Sequence, residues 1–341
     1  MRPNLIAEGG ATLSHTKVSS KWASVVIALA LVGALVAAML PVTTAFASDP
    51  PAPDVPGPYH VGFYWVCYQM PDYGTYWARI YYPATRDGWL APKDPSGGPY
   101  PGIVVSSGLH GAEWNIKWVP QQLASHGYVA ICFTPPNASV IDTTQWARGF
   151  TGGIAKLKEQ NSCWLSPMRG LLDTGKFGVI GLSMGGGGCI EATGAAGSEI
   201  DAAVALAPAT SDASMAAARN IAVPIQLQVG SIDSMVAPSS VLYYYTDLIP
   251  NTAVKEYVEI SGGSHSGFID EFFAWIAVLF GIDTPGTITF AEQRYTSGKY
   301  FTAWFNYHLK GVHAYHPYLF GGKAFQDLSD GILSDLRFNT P

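Results

Sequence analysis

Two hydrophobic rhythms run along this chain. In His60–Cys67 and Thr75–Tyr82 apolar and polar residues alternate, the period of strands with one buried face, and the two segments predict an antiparallel pair. Further on the rhythm changes to short, nearly continuous apolar runs: Pro101–Ser107, Tyr128–Phe133, Lys176–Ile180, Ala202–Leu206, Ile225–Val229 and Val254–Ile260. Such runs suit strands covered on both faces. Helical patterns over Trp114–His126 and Thr144–Lys158, and helix-length segments between the later runs, separate them. Strands alternating with helices predict an α/β fold with a mostly parallel central sheet and helices on both faces. Asp87–Pro99 reads as a turn-rich loop, no internal repeat is present, and one domain over 59–341 accounts for the pattern.

Ahead of that domain the pattern belongs to export. Lys17 and Lys21 precede an uncharged apolar stretch from Trp22 to Leu40, and Ala45-Phe46-Ala47 forms a small-residue cleavage site. Residues 1–47 therefore read as a signal peptide. The stretch is long for one, and an N-terminal membrane anchor holding the protein at the outer face of the cell membrane is the rival reading. A Pro-rich linker, extended or disordered, follows over 48–58.

Composition narrows the classes. Hydrophobic residues make up 48% of the chain and charged ones 13%, enough for a substantial core. The 10 Trp, 18 Tyr and 15 Phe leave aromatics over for a surface that meets apolar ligands. A net charge of −6 argues against a nucleic-acid partner, and cleavage after Ala47 makes the remainder more acidic still. Export permits disulfides among Cys67, Cys132, Cys163 and Cys189. Cys132 lies in a buried strand and Cys189 in a helix, so both read as core thiols. Cys67 and Cys163 are the better bridge candidates. No spacing suggests a metal site, and no cofactor is implied.

The chemistry gathers at the ends of the apolar runs. Gly181-Leu182-Ser183-Met184-Gly185 follows one of them and opens a Gly/Ala-rich helical stretch. A sharp strand-to-helix turn puts its serine in strained dihedrals, and glycines two residues either side remove side chains that would clash. Ser183 is then an exposed nucleophile, and it needs a base whose tautomer is fixed by an acid. Asp233 follows the strand Ile225–Val229 and His265 follows Val254–Ile260, in the order Ser, Asp, His. Each has a plainer reading: a tight turn for Ser183, a helix cap before Pro238 for Asp233, a solvated loop for His265. Asp201 and Asp212 do not follow strand ends at the right place. His308, His313 and His316 read as structural or surface groups. An oxyanion hole needs two backbone N–H donors; Met184 supplies one, and Leu109, in the loop Gly108-Leu109-His110-Gly111, is the choice for the other. His110 is a candidate substrate contact or a helix cap, and Trp114 and Ala209 are further candidate substrate contacts.

With these residues placed, the chain resembles the bacterial cutinase and polyester-hydrolase branch of the α/β-hydrolases, near the dienelactone-hydrolase-like esterases. The resemblance runs from about Gly97 to Leu319 and is carried most specifically by Ser183-Met-Gly-Gly-Gly-Gly188 and Asp233-Ser-Met-Val-Ala-Pro238. It implies an α/β-hydrolase fold, a Ser183–Asp233–His265 triad, an oxyanion hole at Leu109 and Met184, secretion, no cofactor, and ester or polyester substrates. The chain departs from that family at three places. Leu109 stands where an aromatic is usual, Ala207-Pro208-Ala209 lacks the usual Trp, and the C-terminal cysteine pair is missing. Phe268–Ile282 adds an apolar segment after His265, within a lid or insert at 266–290; a core helix is the preferred reading of it and a lid the alternative.

A secreted serine carboxylic-ester hydrolase is therefore the expected function. An exported peptidase or amidase of the same fold is the alternative, and a catalytically silent binding module tethered by the N-terminal helix is a third.

Overall fold

The computed structural model describes residues 50–339; residues 1–47, expected to be a signal peptide or anchor, lie outside them. Among the described residues ten strands form one sheet: β1 (His60–Met70), β2 (Gly74–Ala84), β3 (Gly88–Trp89), β4 (Tyr100–Ser106), β5 (Val129–Thr134), β6 (Leu172–Leu182), β7 (Ala202–Leu206), β8 (Ile225–Gly230), β9 (Lys255–Ile260) and β10 (Leu333–Asn339). Their spatial order is β10-β9-β8-β7-β6-β4-β5-β2-β1-β3. The block from β5 to β9 is parallel throughout, and the hairpin β1–β2 and strand β10 flank it antiparallel. Every residue of β4, β7 and β8 is buried, as continuous apolar runs require when helices cover both faces.

From β4 the chain steps one way to β5, and from β6 it steps the other way to β7. The crevice between β4 and β6 is thus the point where strand order reverses, and ligands of open α/β sheets bind there, at the carboxyl ends.

The helices are α1 (Trp118–Ser125), α2 (Thr143–Ser162), α3 (Met184–Thr193), α4 (Asp212–Ala218), α5 (Pro238–Tyr243), α6 (Glu271–Leu279), α7 (Phe290–His308), α8 (His316–Leu319) and α9 (Gly322–Ser329). The segment expected to be one helix over Trp114–His126 is a short 3-10 turn, Glu113–Asn115, followed by α1. Local chemistry sets several ends. Asp142 caps α2 by accepting the Thr144 N–H at 2.9 Å, and Thr289 with Glu292 forms a reciprocal capping box on α7. Helix α3 carries four consecutive glycines, a sequence with poor helix propensity. Close packing accounts for them: a Cβ on Gly188 would lie 2.4 Å from the Trp146 Cβ of α2.

Three expectations change. The described part of the Pro-rich stretch, 50–58, has no helix or strand, yet it is tied to the domain rather than loose. Gln122 donates to the Pro53 and Val55 carbonyls, and the Gly57 N–H donates to Ser125 Oγ at 2.9 Å. All four cysteines are free thiols, so Cys67 and Cys163 are not joined, whereas Cys132 and Cys189 are buried core thiols as expected. Burial pushes the Cys189 thiol up to about 12, which leaves it unreactive. Finally, α6 is not a core helix. Only Ala274 of it is buried, while Phe272, Trp275 and Leu279, at 68%, 61% and 79% exposure, face outward.

Candidate active site

Ser183 sits between β6 and α3 with φ +57° and ψ −117°, a conformation that L-residues rarely hold. The flanking glycines allow it. A Cβ on Gly181 would fall 2.1 Å from the Gly185 carbonyl oxygen, and one on Gly185 would fall 2.4 Å from the Ser107 oxygen. The segment after β7 closes on the same turn: the Ser183 N–H donates to Leu206 O, and the Ala209 N–H donates to Ser183 O, both at 2.9 Å. Ala209 therefore braces the backbone of Ser183, and it is half-buried beside it.

The loop after β4 reaches the same place. A Cβ on Gly108 would lie 2.6 Å from Ser183 Cβ, so Leu109 follows a residue in direct contact with the serine. The His110 N–H is occupied by the Ala138 carbonyl at 2.7 Å, and the Gly111 N–H by Gly108 O at 3.0 Å. Among the described residues no acceptor takes the N–H of Leu109 or of Met184. Trp146 Nε1 donates to Ser107 O at 2.9 Å and fixes the base of this loop. His110 has φ +56°, and its ring bonds Ser139 Oγ at 3.1 Å, which turns it toward the neighbouring loop; Trp114 is half-exposed in the following turn.

At the ends of β8 and β9 the structure brings Asp233 and His265 together. Asp233 Oδ2 meets His265 Nδ1 at 2.8 Å, with both residues 6% exposed. The second oxygen of Asp233 accepts the Met235 and Val236 N–H groups at 3.0 and 2.7 Å. The carboxylate thus ties its own turn with one oxygen and bonds the imidazole with the other; it does not cap the helix at Pro238, whose N-cap is Ala237 with no side-chain cap bond. No hydrogen bond joins Ser183 Oγ to His265 among the described residues; catalytic hydrogen bonds are often long before substrate binds. Asp201 lies at the opposite end of the sheet, where Oδ2 accepts the Phe177 N–H at 2.8 Å, and Asp212 opens α4. His308 packs half-buried against Tyr307 and Phe320, while His313 and His316 are exposed surface groups beside Tyr307.

Two residues that spacing gives no reason to select hold this edge together. Asp283 bonds the Ser234 hydroxyl and the Ser266 N–H, and Gln293 of α7 bonds both backbone groups of Ser264. Both are buried. Among the described residues no three His, Cys, Asp or Glu side chains converge as metal ligands would, and no helix is long and apolar enough to cross a membrane.

A strained serine at the switch point of such a sheet, with an Asp–His pair along the same edge, places the protein among the α/β-hydrolases. More narrowly, the chain belongs to the PETase family, described as PET hydrolase-like, whose profile matches residues 54–274. Curated relatives are more distant. The chain is similar to Cutinase est1 of Thermobifida alba, 28% identical over 49% of this chain and 53% of that protein. It is 29% identical to a bis(hydroxyethyl) terephthalate hydrolase of Streptomyces coelicolor, over 51% of this chain and 53% of the other. Cutinase 2 of Thermobifida cellulosilytica is 24% identical over 49% and 60%. The chain spans about half the length of the curated relatives it matches.

Proposed function

We propose that the protein is a secreted serine carboxylic-ester hydrolase. The observation that carries this reading is the 2.8 Å contact of Asp233 Oδ2 with His265 Nδ1, at the sheet edge that presents the strained Ser183. Asp233 keeps the proton on Nδ1, which leaves Nε2 as the base. Ser183 Oγ attacks the ester carbonyl as its proton passes to Nε2, and the carbonyl oxygen takes the negative charge. In this reading the N–H groups of Met184 and Leu109, which no acceptor among the described residues takes, receive that oxyanion. Collapse expels the alcohol, which takes the proton from His265, and leaves Ser183 acylated. A water activated by the same histidine then releases the acid and restores the serine.

The substrate class follows from what surrounds the site. The names of the relatives point to cutin and terephthalate esters, and α6 starts just beyond the His265 loop. The Asp270 N–H donates to Asn115 O at 2.8 Å, and Trp118 Nε1 donates to Phe268 O at 2.8 Å. These bonds tie the start of α6 to the chain beyond the oxyanion loop. The uncharged run Phe272–Ile282 therefore forms an exposed apolar shelf beside the cleft, suited to esters of low water solubility, polyesters among them. The test is Ser183→Ala: hydrolysis of p-nitrophenyl butyrate should vanish while the circular dichroism spectrum stays unchanged. Retained hydrolysis by a purified, folded variant would reject the reading.

A further inference from the structure

Asp283 takes no part in the reaction just described, yet it connects the two groups that assist the serine. It is 5% exposed and lies where the chain returns from α6. Its Oδ1 accepts the Ser234 hydroxyl at 2.8 Å and the Thr284 N–H at 2.9 Å; its Oδ2 accepts the Ser266 N–H at 2.7 Å. Ser234 is the residue after Asp233, and Ser266 is the residue after His265. One carboxylate therefore links the acid loop to the base loop, independently of the Asp233–His265 bond. On the other side of His265, Gln293 accepts the Ser264 N–H at 2.9 Å and donates to the Ser264 carbonyl at 2.7 Å. Both chain neighbours of the histidine are thus fixed by buried side chains.

A buried carboxylate is costly to desolvate unless donors converge on it, and three do so here. Two of those donors belong to the loops whose separation sets the imidazole against Asp233. Resting on the reading of Asp233 and His265 as acid and base, we propose that Asp283 is a positioning residue that holds the His265 loop in register with the Asp233 loop. Its bond to Ser266 also pins the α6 excursion at its base, since the segment leaves from Ser266 and returns at Asp283.

The amide of Asp283→Asn has one accepting oxygen. Turned to the Ser266 N–H, it leaves the NH2 group facing the Ser234 hydroxyl, which can reverse and accept, and the Thr284 N–H, which loses its acceptor. That variant keeps the link between the loops, whereas Asp283→Ala loses it. Ser234 is exposed on the surface, so Ser234→Ala removes the acid-loop end of the link with little demand on folding.

The experiment measures kcat and KM for p-nitrophenyl butyrate with all three variants, beside active-site titration by a fluorophosphonate. Misplacing a catalytic group by about 1 Å costs up to roughly a hundredfold. Asp283→Ala should lower kcat by about 10- to 100-fold per titrated site with KM nearly unchanged, Asp283→Asn should recover most of the loss, and Ser234→Ala should show a smaller fall of the same kind. If Asp283→Ala does not fold, Ser234→Ala decides. Wild-type kcat per titrated site in Ser234→Ala, or no recovery in Asp283→Asn relative to Asp283→Ala, would overturn the proposal. Failure of the fluorophosphonate to label wild-type Ser183 would instead reject the underlying triad.

Discussion

Replacing Asp233 by asparagine tests the proposed division of labour within that one carboxylate. Oδ1 accepts two backbone N–H groups, from Met235 and Val236, and Oδ2 faces His265 Nδ1 at 2.8 Å. In Asp233→Asn the remaining oxygen has to choose. Turned toward the two amides it preserves the loop and presents NH2 to His265, so Nδ1 becomes the acceptor and the ring proton moves to Nε2. The base then faces Ser183 with its proton already on. Turned toward His265 the oxygen restores the useful tautomer but leaves two amide donors against NH2. At about 1–3 kcal/mol for each unsatisfied donor, that arrangement lies roughly 2–6 kcal/mol higher. The competent tautomer is then populated at roughly one part in 30 to one in 10⁴, since about 1.4 kcal/mol is tenfold. Loss of the negative charge beside the imidazolium adds to the deficit. We expect kcat/KM for p-nitrophenyl butyrate to fall about 10³- to 10⁴-fold, with KM and the urea midpoint little changed. A fall of less than about tenfold in a folded variant would refute the assignment of Asp233 as the orienting acid.

Other parts of the structure make predictions of their own. In Gly185→Ala the new Cβ would meet the Ser107 and Ser106 carbonyl oxygens at 2.4 and 2.9 Å, both backbone atoms, so urea unfolding should show a loss of about 1–3 kcal/mol or more. Trp275→Ser, on the exposed face of α6, should leave hydrolysis of soluble esters within about twofold and lower turnover on a polyester film several-fold; equal effects on both substrates would contradict the shelf. Burial against Trp304 and Phe320 pushes the His308 imidazole down to about 4. The unfolded chain therefore takes up that proton first, and the stability is intact above about pH 6.5 and lost as pH falls toward 4. Between pH 7 and pH 4 the wild type should lose up to about 3 kcal/mol more than His308→Phe in urea titrations.

Much of this architecture is legible in the sequence. The buried strands β7, β8 and β9 announce themselves as apolar runs bounded by turns, and the runs that became β4, β5 and β6 are found to within a few residues. The elbow, Asp233 and His265 are legible because each follows such a run and because glycines mark the backbone that Ser183 demands. The edge strand β10 was not, for Leu333–Asn339 is half-exposed and its apolar residues show no clear period. The site's supports were also hidden. Asp283 and Gln293 act through hydrogen bonds to backbone groups far along the chain, and nothing in their neighbourhoods encodes that partner. The exposure of α6 shows the reverse limit: its uncharged run reads as core, and only its place on the outside of the sheet edge leaves it uncovered.

The most direct test of the account is covalent capture of the nucleophile. The purified protein, treated with a fluorophosphonate and digested, should carry one phosphonyl adduct, on the peptide containing Gly181–Gly188. Labelling should be lost in Ser183→Ala and be at least about a hundredfold slower in His265→Ala. An unmodified Ser183, or labelling that proceeds at the wild-type rate without His265, would contradict the claim that this edge of the sheet activates a serine.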